Sequence, residues 1–309
     1  MSLDREFSFA ESFMRIEISP SRPDVIVAVN SLDSTTSVSM FSLENHELAK
    51  ILHLNGSFAH VNSLRWDSSD SLLVADGKGV HVFGTDGTAI ASQIIDNCSA
   101  ACFLGDPSQV IGSSNRSLKL WDIRSGTSNS IHMSNISSIS SLDVNPNRAH
   151  TIATGCKDGR VLIWDLRRCS PNGEPVQVFD AHNHHVNNVK FNPLRDELIL
   201  SSSADCSLKV WCCESASSGF MDRVPPLIEN QRPPLSPLTN PVVPYRGLSF
   251  PDQRTQILTY RDDRLISQID RHSDTVNDIC WSHASPWIFA SVSKDGLVMI
   301  NSVPKYLTR

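Results

Sequence analysis

One spacing recurs along this chain and limits what it can fold into. An aspartate or asparagine is followed six residues later by a tryptophan in SSNRSLKLWDIR (Asn115 to Trp121), CKDGRVLIWDLR (Asp158 to Trp164) and SADCSLKVWCC (Asp205 to Trp211). The tryptophans at 121, 164 and 211 lie 43 and then 47 residues apart. Weaker copies flank them: VSMFSLE with Phe41, GVHVFGT with Phe83, and SKDGLVMINS, where Asn301 stands six residues after Asp295. A second string precedes the copies, as RIEISP, SLRWDS, SLDVNP, NVKFNP and DICWSH. Self-similarity at this period marks a chain built of stacked supersecondary units.

Each unit alternates apolar and polar residues over four to seven positions. Asp-Gly, Asn-Pro and Ser-rich breaks cut the runs, and no stretch sustains a helical period. The fold class is therefore all-β. About 40 residues hold four short strands, and one such sheet cannot bury both faces alone, so the units are expected to stack around an axis as a β-propeller. Six units are visible, at about 13–55, 56–96, 97–134, 135–181, 182–271 and 272–304, in one domain covering 1–309. The fifth is long because residues 216–253 carry eight of the 17 prolines, the composition of a projecting loop.

These strings resemble the WD-repeat family. The resemblance implies a structural tetrad of an incoming histidine, a Ser or Thr on the second strand, the turn aspartate and the third-strand tryptophan. Unit five matches best, with His182, Ser201 or Ser203, Asp205 and Trp211. Unit four keeps Asp158 and Trp164, unit six keeps His272 and Asp295, unit three has Asn115 before Trp121, and the first two units keep aromatic residues only. A buried aspartate is tolerated when imidazole and backbone donors fill its acceptors. Propellers of this family mostly have seven blades, so one is absent or hidden. The strand-like Glu6 to Ala10 reads as the last strand of an incomplete blade, able to pair with the final unit.

Composition narrows the function. With 27 basic against 33 acidic residues the formal charge is -6, the wrong sign for neutralising phosphates, so no nucleic-acid partner is expected. No apolar run reaches the length of a membrane span, so no direct membrane insertion is expected, and the charged start MSLDREFSFAES does not read as a secretory signal. Eight cysteines without CxxC spacing, among them Cys156, Cys206 and Cys280, read as buried thiols of a reducing compartment. Gly77-Lys78-Gly79 is a fragment of a phosphate loop lacking its first glycine and its following Ser or Thr. No GxSxG, HExxH or kinase signature occurs, so the chain reads as no enzyme, with no cofactor. His182, His184 and His185 crowd together, but no cysteine or carboxylate stands at ligand spacing, and no metal is expected. Cys98 and Cys102 alternate with Ala100 as core positions.

The strings WDIR and WDLR, ending at Arg124 and Arg167, resemble the motif by which some propellers dock on the adaptor of cullin-type ubiquitin ligases. A ligase substrate receptor is therefore the alternative function. In the blander reading these arginines pair with Asp122, Asp165 or nearby carboxylates. Ser170-Pro171 and Ser236-Pro237 are proline-directed phosphorylation candidates.

A closer resemblance rests on LKLWDIRS, on LDVNPN followed by ATGCKDGRVLIWDLR, on HHVNNVKFNPLRDELILSSSADCSL, and above all on SHASPWIFASVSKDGLVMINSVPK. These stretches are similar to a branch of WD-repeat proteins that interact with the EARP and GARP tethering complexes. The resemblance implies a cytoplasmic scaffold on endosomes and the trans-Golgi network, with EARP and GARP subunits as partners. It also implies a further blade upstream of Phe13 and an acidic fifth-unit insertion, from which this proline-rich one departs. Exposed aromatic and arginine residues on loops, Trp287, Arg148, Arg195, Phe220 and Tyr245, are the candidate partner anchors.

Overall fold

Period-two alternation cut by tight turns produces strands of four to ten residues, each paired with its sequence neighbour. The computed structural model describes residues 13–19, 22, 25–32, 35–44, 47–54, 58, 60–67, 69–132, 137–168, 174–216 and 263–303. The segment Glu6 to Ala10, Phe220, Tyr245, both Ser-Pro pairs and the proline-rich insertion from 217 onward lie outside them.

Six antiparallel sheets follow in chain order. The first holds β1 (Phe13–Ile18), β2 (Val25–Leu32), β3 (Thr35–Glu44) and β4 (Glu47–His53); the second holds β5 (Val61–Trp66), β6 (Leu72–Asp76), β7 (Gly79–Phe83) and β8 (Ala89–Ile94). The third contains β9 (Cys98–Leu104), β10 (Asp106–Ser114), β11 (Ser117–Asp122) and β12 (Ser128–His132). The fourth contains β13 (Ile139–Asn145), β14 (Arg148–Cys156), β15 (Arg160–Asp165) and β16 (Gln177–Asp180). β17 (Val186–Phe191), β18 (Leu198–Ser203), β19 (Leu208–Cys212) and β20 (Arg264–Ile269) make the fifth, with a 3-10 turn at Glu214–Ala216. Among the described residues the sixth has three strands, β21 (Val276–Trp281), β22 (Ile288–Ser293) and β23 (Val298–Ser302).

The sheets stack face to face, and each seam has its own apolar cluster. Val27, Val38 and Met40 meet Leu64, Leu72 and Val74 at the first seam, and Leu200, Leu208 and Val210 meet Ile279, Trp281 and Phe289 at the last. Trp121, Trp164 and Trp211 are all buried in these clusters, the place a blade-stacking residue requires. The architecture is thus all-β, a series of consecutive antiparallel blades stacked as in a β-propeller. Leu118, Val161 and Leu208, equivalent positions on three third strands, have no exposed surface.

Polar ties repeat at the same seams. The pairing register slips at the second residue of β5, β13, β17 and β21, a bulge that turns that side chain out of the sheet. Asn62 Nδ2 donates to the Cys98 carbonyl at 2.7 Å, Ser140 Oγ to Val186 at 2.5 Å, and Asn187 Nδ2 to Val276 at 2.8 Å. Ser99 Oγ does the same to Ile139 at 2.7 Å. In each case the acceptor opens the innermost strand of the next sheet. Asn277 stands at the matching bulge of β21, exposed, with no acceptor among the described residues.

Candidate functional site

In the fifth sheet a histidine, a serine, an aspartate and a tryptophan meet as one network. His182, delivered by the turn after β16, sets Nε2 2.8 Å from Ser201 Oγ and Nδ1 3.1 Å from an Asp205 oxygen. Trp211 Nε1 donates to the same Ser201 Oγ at 3.0 Å. Asp205 also accepts from Ser207 Oγ at 2.6 Å and from the Asn183 and Ser207 N–H groups. Of the two candidate serines the network uses Ser201. Ser203 lies two residues on, receives the Asp205 N–H and donates to the His184 and His185 carbonyls.

The order Ser201, His182, Asp205 matches that of a hydrolytic triad, but Ser201 is fully buried and holds the Trp211 indole. Burial, against the pull of Asp205, keeps the His182 imidazole below its ordinary range. Burial opposes ionisation of Asp205 as well, yet the bonds from Ser207, His182 and the backbone hold its carboxyl low. Chemically this is a closed structural network.

The sixth sheet repeats the plan with a substitution. His272 bridges Asp295 and Ser291, each at 2.9 Å, and Asn301 Nδ2 reaches Ser291 Oγ at 3.4 Å where the fifth sheet has an indole. Despite the opposing effect of burial, N–H groups of Leu297 and Ser273 and the His272 ring hold Asp295 down at about 2. Ser291 stands at the same spacing from His272 and Asp295 as Ser201 does from His182 and Asp205, so the fifth unit's pattern also points to it.

Unit four departs from the tetrad. Trp164 Nε1 donates to Thr154 Oγ1 at 2.9 Å, but Asp158 turns outward to Arg160 Nε at 2.8 Å, because no histidine stands at the entrance of that blade. The next residue, Gly159, is at φ +88° and packs against the His182 carbonyl, so any Cβ there would collide. The reading of aromatic residues alone in unit two is corrected by Asp76. Fully buried, it accepts from Lys78 and Gly79 N–H at 2.9 and 2.7 Å and ties down the Gly77-Lys78-Gly79 turn. It stands seven residues before Phe83, outside the six-residue spacing.

A second polar cluster joins innermost strands of non-adjacent sheets. Arg65 of β5 lies 3.4 Å from Asp143 of β13 and 3.8 Å from Glu17 of β1, and Asp143 accepts the Phe191 N–H at 2.8 Å. Arg65 Nε is buried with no hydrogen-bond partner. Burial raises Asp143 to about 6 in spite of that arginine. No motif spacing reveals this set, because its members lie 48 to 78 residues apart.

The candidate anchors sort by their partners. Arg124 bonds Asp106 at 2.6 Å and gives only its N–H to Asp122, while Arg167 forks onto Asp165 through Nε and Nη2 at 2.9 and 2.7 Å. Both remain largely exposed. Arg195 and Trp287, 92 residues apart in sequence, come together: the guanidinium sits 5.0 Å from the indole centroid, and Glu197 holds it from the side. Asn192 fastens the two loops by donating to the Pro286 carbonyl at 2.7 Å, and Leu194 beside Arg195 is half exposed. Arg148 occupies the equivalent loop one sheet earlier, its N–H held by Asn145 at 2.9 Å. His184 and His185 are exposed on the rim. Among the described residues no group of three metal-ligating side chains forms, and no helix is long and apolar enough to cross a membrane.

The buried-thiol reading holds for Cys98, Cys102, Cys156 and Cys213, and burial pushes Cys98 and Cys156 up to about 12. Cys280 corrects it. It lies in an apolar strand but is exposed, and among the described residues no sheet follows the sixth.

A family model described as EIPR1 beta-propeller matches residues 4–211, and one described as WD domain, G-beta repeat, matches residues 263–301. The chain is 32% identical over 165 residues to EARP-interacting protein 1 of Caenorhabditis elegans, covering 53% of this chain and 39% of that protein. It is 30% identical over 202 residues to the EARP and GARP complex-interacting protein 1 of Homo sapiens, covering 64% of this chain and 47% of the relative. WD repeat-containing protein DWA2 of Arabidopsis thaliana is 26% identical over 272 residues, 84% of this chain and 68% of that protein. The chain thus spans about half the length, or less, of the first two.

Proposed function

Because the chain belongs to the EIPR1 beta-propeller family, we propose that it is a non-catalytic scaffold of the endosomal retrieval machinery. It binds EARP and GARP tethering complexes, in the cytoplasm on endosomes and the trans-Golgi network, in transport from early endosomes to recycling endosomes or the Golgi. The observation that carries this reading is the family match together with the interaction that the worm and human relatives are named for. The side-chain chemistry agrees with a scaffold. Both Ser-His-Asp arrays described here are buried and consumed in structural bonds, to Trp211 in the fifth sheet and to Asn301 in the sixth, and the half-buried Arg195 and Trp287 stand on tied, preorganised loops.

Affinity purification of the tagged chain at physiological salt, followed by mass spectrometry, tests it. EARP or GARP subunits are the expected co-purifying proteins, reduced when Trp287 and Leu194 are both replaced by Ala. Recovery of a cullin-ligase adaptor without tether subunits, lost on Arg124→Ala and Arg167→Ala, would replace the proposal with the ligase reading. Chaperones alone would overturn it.

A further inference from the structure

Three of the sheets build the turn between their first and second strands alike. Ser19, Asn145 and Asn192 each accept, through the side chain, the N–H of an arginine three residues on: Arg22 at 3.1 Å, Arg148 at 2.9 Å and Arg195 at 3.0 Å. Two of these guanidiniums are engaged by the sheet that follows. Arg22 lies 3.7 Å from Asp70, in the same turn of the second sheet, and Arg195 stacks on Trp287, in the same turn of the sixth. The Arg148 side chain has no hydrogen bond or ion pair among the described residues, because the place that Asp70 takes beside Arg22 is taken in the fifth sheet by Arg195, a like charge.

The turn after the third strand opens at the same end of the sheets, since Leu166 donates its N–H to the His150 carbonyl and Ile123 to that of Ser108. It adds Arg124, Arg167 and Arg168. In each ion pair here the guanidinium is the outer member: side-chain exposure is 69% for Arg124 against 45% for Asp106, 62% and 72% for Arg167 and Arg168 against 12% for the Asp165 they share, and 37% for Arg195 against 20% for Glu197. At the other end of the fourth sheet, Arg160 and Asp158 are equally exposed, 32% and 31%. A guanidinium carries five N–H donors, and one carboxylate fills only part of them. A chain of formal charge -6 thus presents outward cationic donors along one end of three consecutive sheets.

We propose that this end of the third, fourth and fifth sheets is the docking surface for an acidic segment of a partner protein, whose carboxylates take the free fork of Arg148 and the outward donors of Arg124, Arg167 and Arg168. Such a partner need not be a tether subunit. Separate forks with Asp106, Asp165 and Glu197 between them suit separate carboxylates, and repel the unbroken charge of a phosphate backbone. The chain itself brings no surplus of negative charge to the place. Residues 169–173, which follow Arg168, contain no charged residue, and residues 217–262, which follow the Ala216 bonded by Asn145, carry five arginines against four carboxylates.

Fluorescence anisotropy tests this, with a labelled oligoglutamate titrated by the full chain at low salt. Saturable binding is expected, weakening as salt rises, with none of labelled oligoglutamine. Arg148→Gln with Arg168→Gln should weaken it about two- to fivefold for each arginine removed, at an unchanged thermal midpoint. Arg116→Gln with Lys157→Gln, which removes the same charge from turns at the opposite ends of the third and fourth sheets, leaves it unchanged. Arg124 and Arg167 stay intact in both, so the result is separate from that of the ligase reading. No saturable binding, or equal weakening by the two double variants, overturns the proposal. Tighter binding of an oligothymidylate of equal charge, lost on the first pair of substitutions, would make the surface one for nucleic acid and also overturns it. Binding gained only with Asp222→Asn and Glu229→Gln would mean that the insertion occupies the arginines, and overturns it as well.

Discussion

The fifth and sixth sheets carry nearly the same sequence plan and differ in what lies beside them. His182, Ser201 and Asp205 correspond to His272, Ser291 and Asp295, with matching distances at each contact. Yet β19 is packed on both sides, while β23 has neither a fourth strand nor a following sheet among the described residues. The polar network is therefore a property of one blade. Burial of the apolar alternation is a property of two. The same string, Asp-x-x-Leu-x-Val against Asp-x-x-Val-x-Ile, gives a core in one place and an open surface in the other.

The largest predicted contrast lies in the tryptophan and its counterpart. Trp211→Ala should cost about 3–5 kcal/mol by emptying volume between the fourth and fifth sheets, whereas Val298→Ala should leave the denaturation midpoint of the protomer almost unchanged. Equal losses in urea titrations would break the comparison. Next comes the acceptor: Ser201→Ala strands both the indole and the imidazole, a loss of about 1–3 kcal/mol. Ser291→Ala should cost less, since Asn301 lies at 3.4 Å and forms a weaker bond than the indole.

At the seams, Asn187→Ala should cost about 1 kcal/mol and Asn277→Ala nothing measurable, because only the first has an acceptor beyond it. The smallest effect is in pH. His182 is held neutral by burial, so its folded form resists a proton that the unfolded chain accepts near pH 6.5. Its contribution is complete above that pH and falls away as pH drops below it. Asp143, raised to about 6, acts in the opposite sense, gaining stability as it protonates. The His182→Gln variant should therefore show a flatter loss of thermal midpoint between pH 7 and 5 than the wild type. An unchanged slope would assign the loss to other groups.

The repeat made the strands, the buried tryptophans and the fifth-sheet tetrad legible, since each follows from spacing within one unit. Asn301 taking the place of a tryptophan is also visible as a spacing. What spacing cannot carry is contact between units. The meeting of Arg195 with Trp287, and of Arg65 with Asp143 and Glu17, depends on how sheets are arranged, and nothing local announces it. Asp76 escaped because its turn shifts the count by one residue. Cys280 reads as core from its strand because a strand pattern reports an apolar face without reporting whether a neighbour covers it.

The junction of β19 and β20 carries one more consequence. Cys212 pairs directly with Arg264, so the backbone leaves and returns at adjacent points of an already closed sheet. The entropy of closing the intervening stretch grows only with the logarithm of its length, about 0.6 kcal/mol per doubling. Evolution can therefore lengthen, shorten or rewrite that stretch at little thermodynamic penalty. Homologous chains are free to differ there in both length and charge while keeping the blades unchanged.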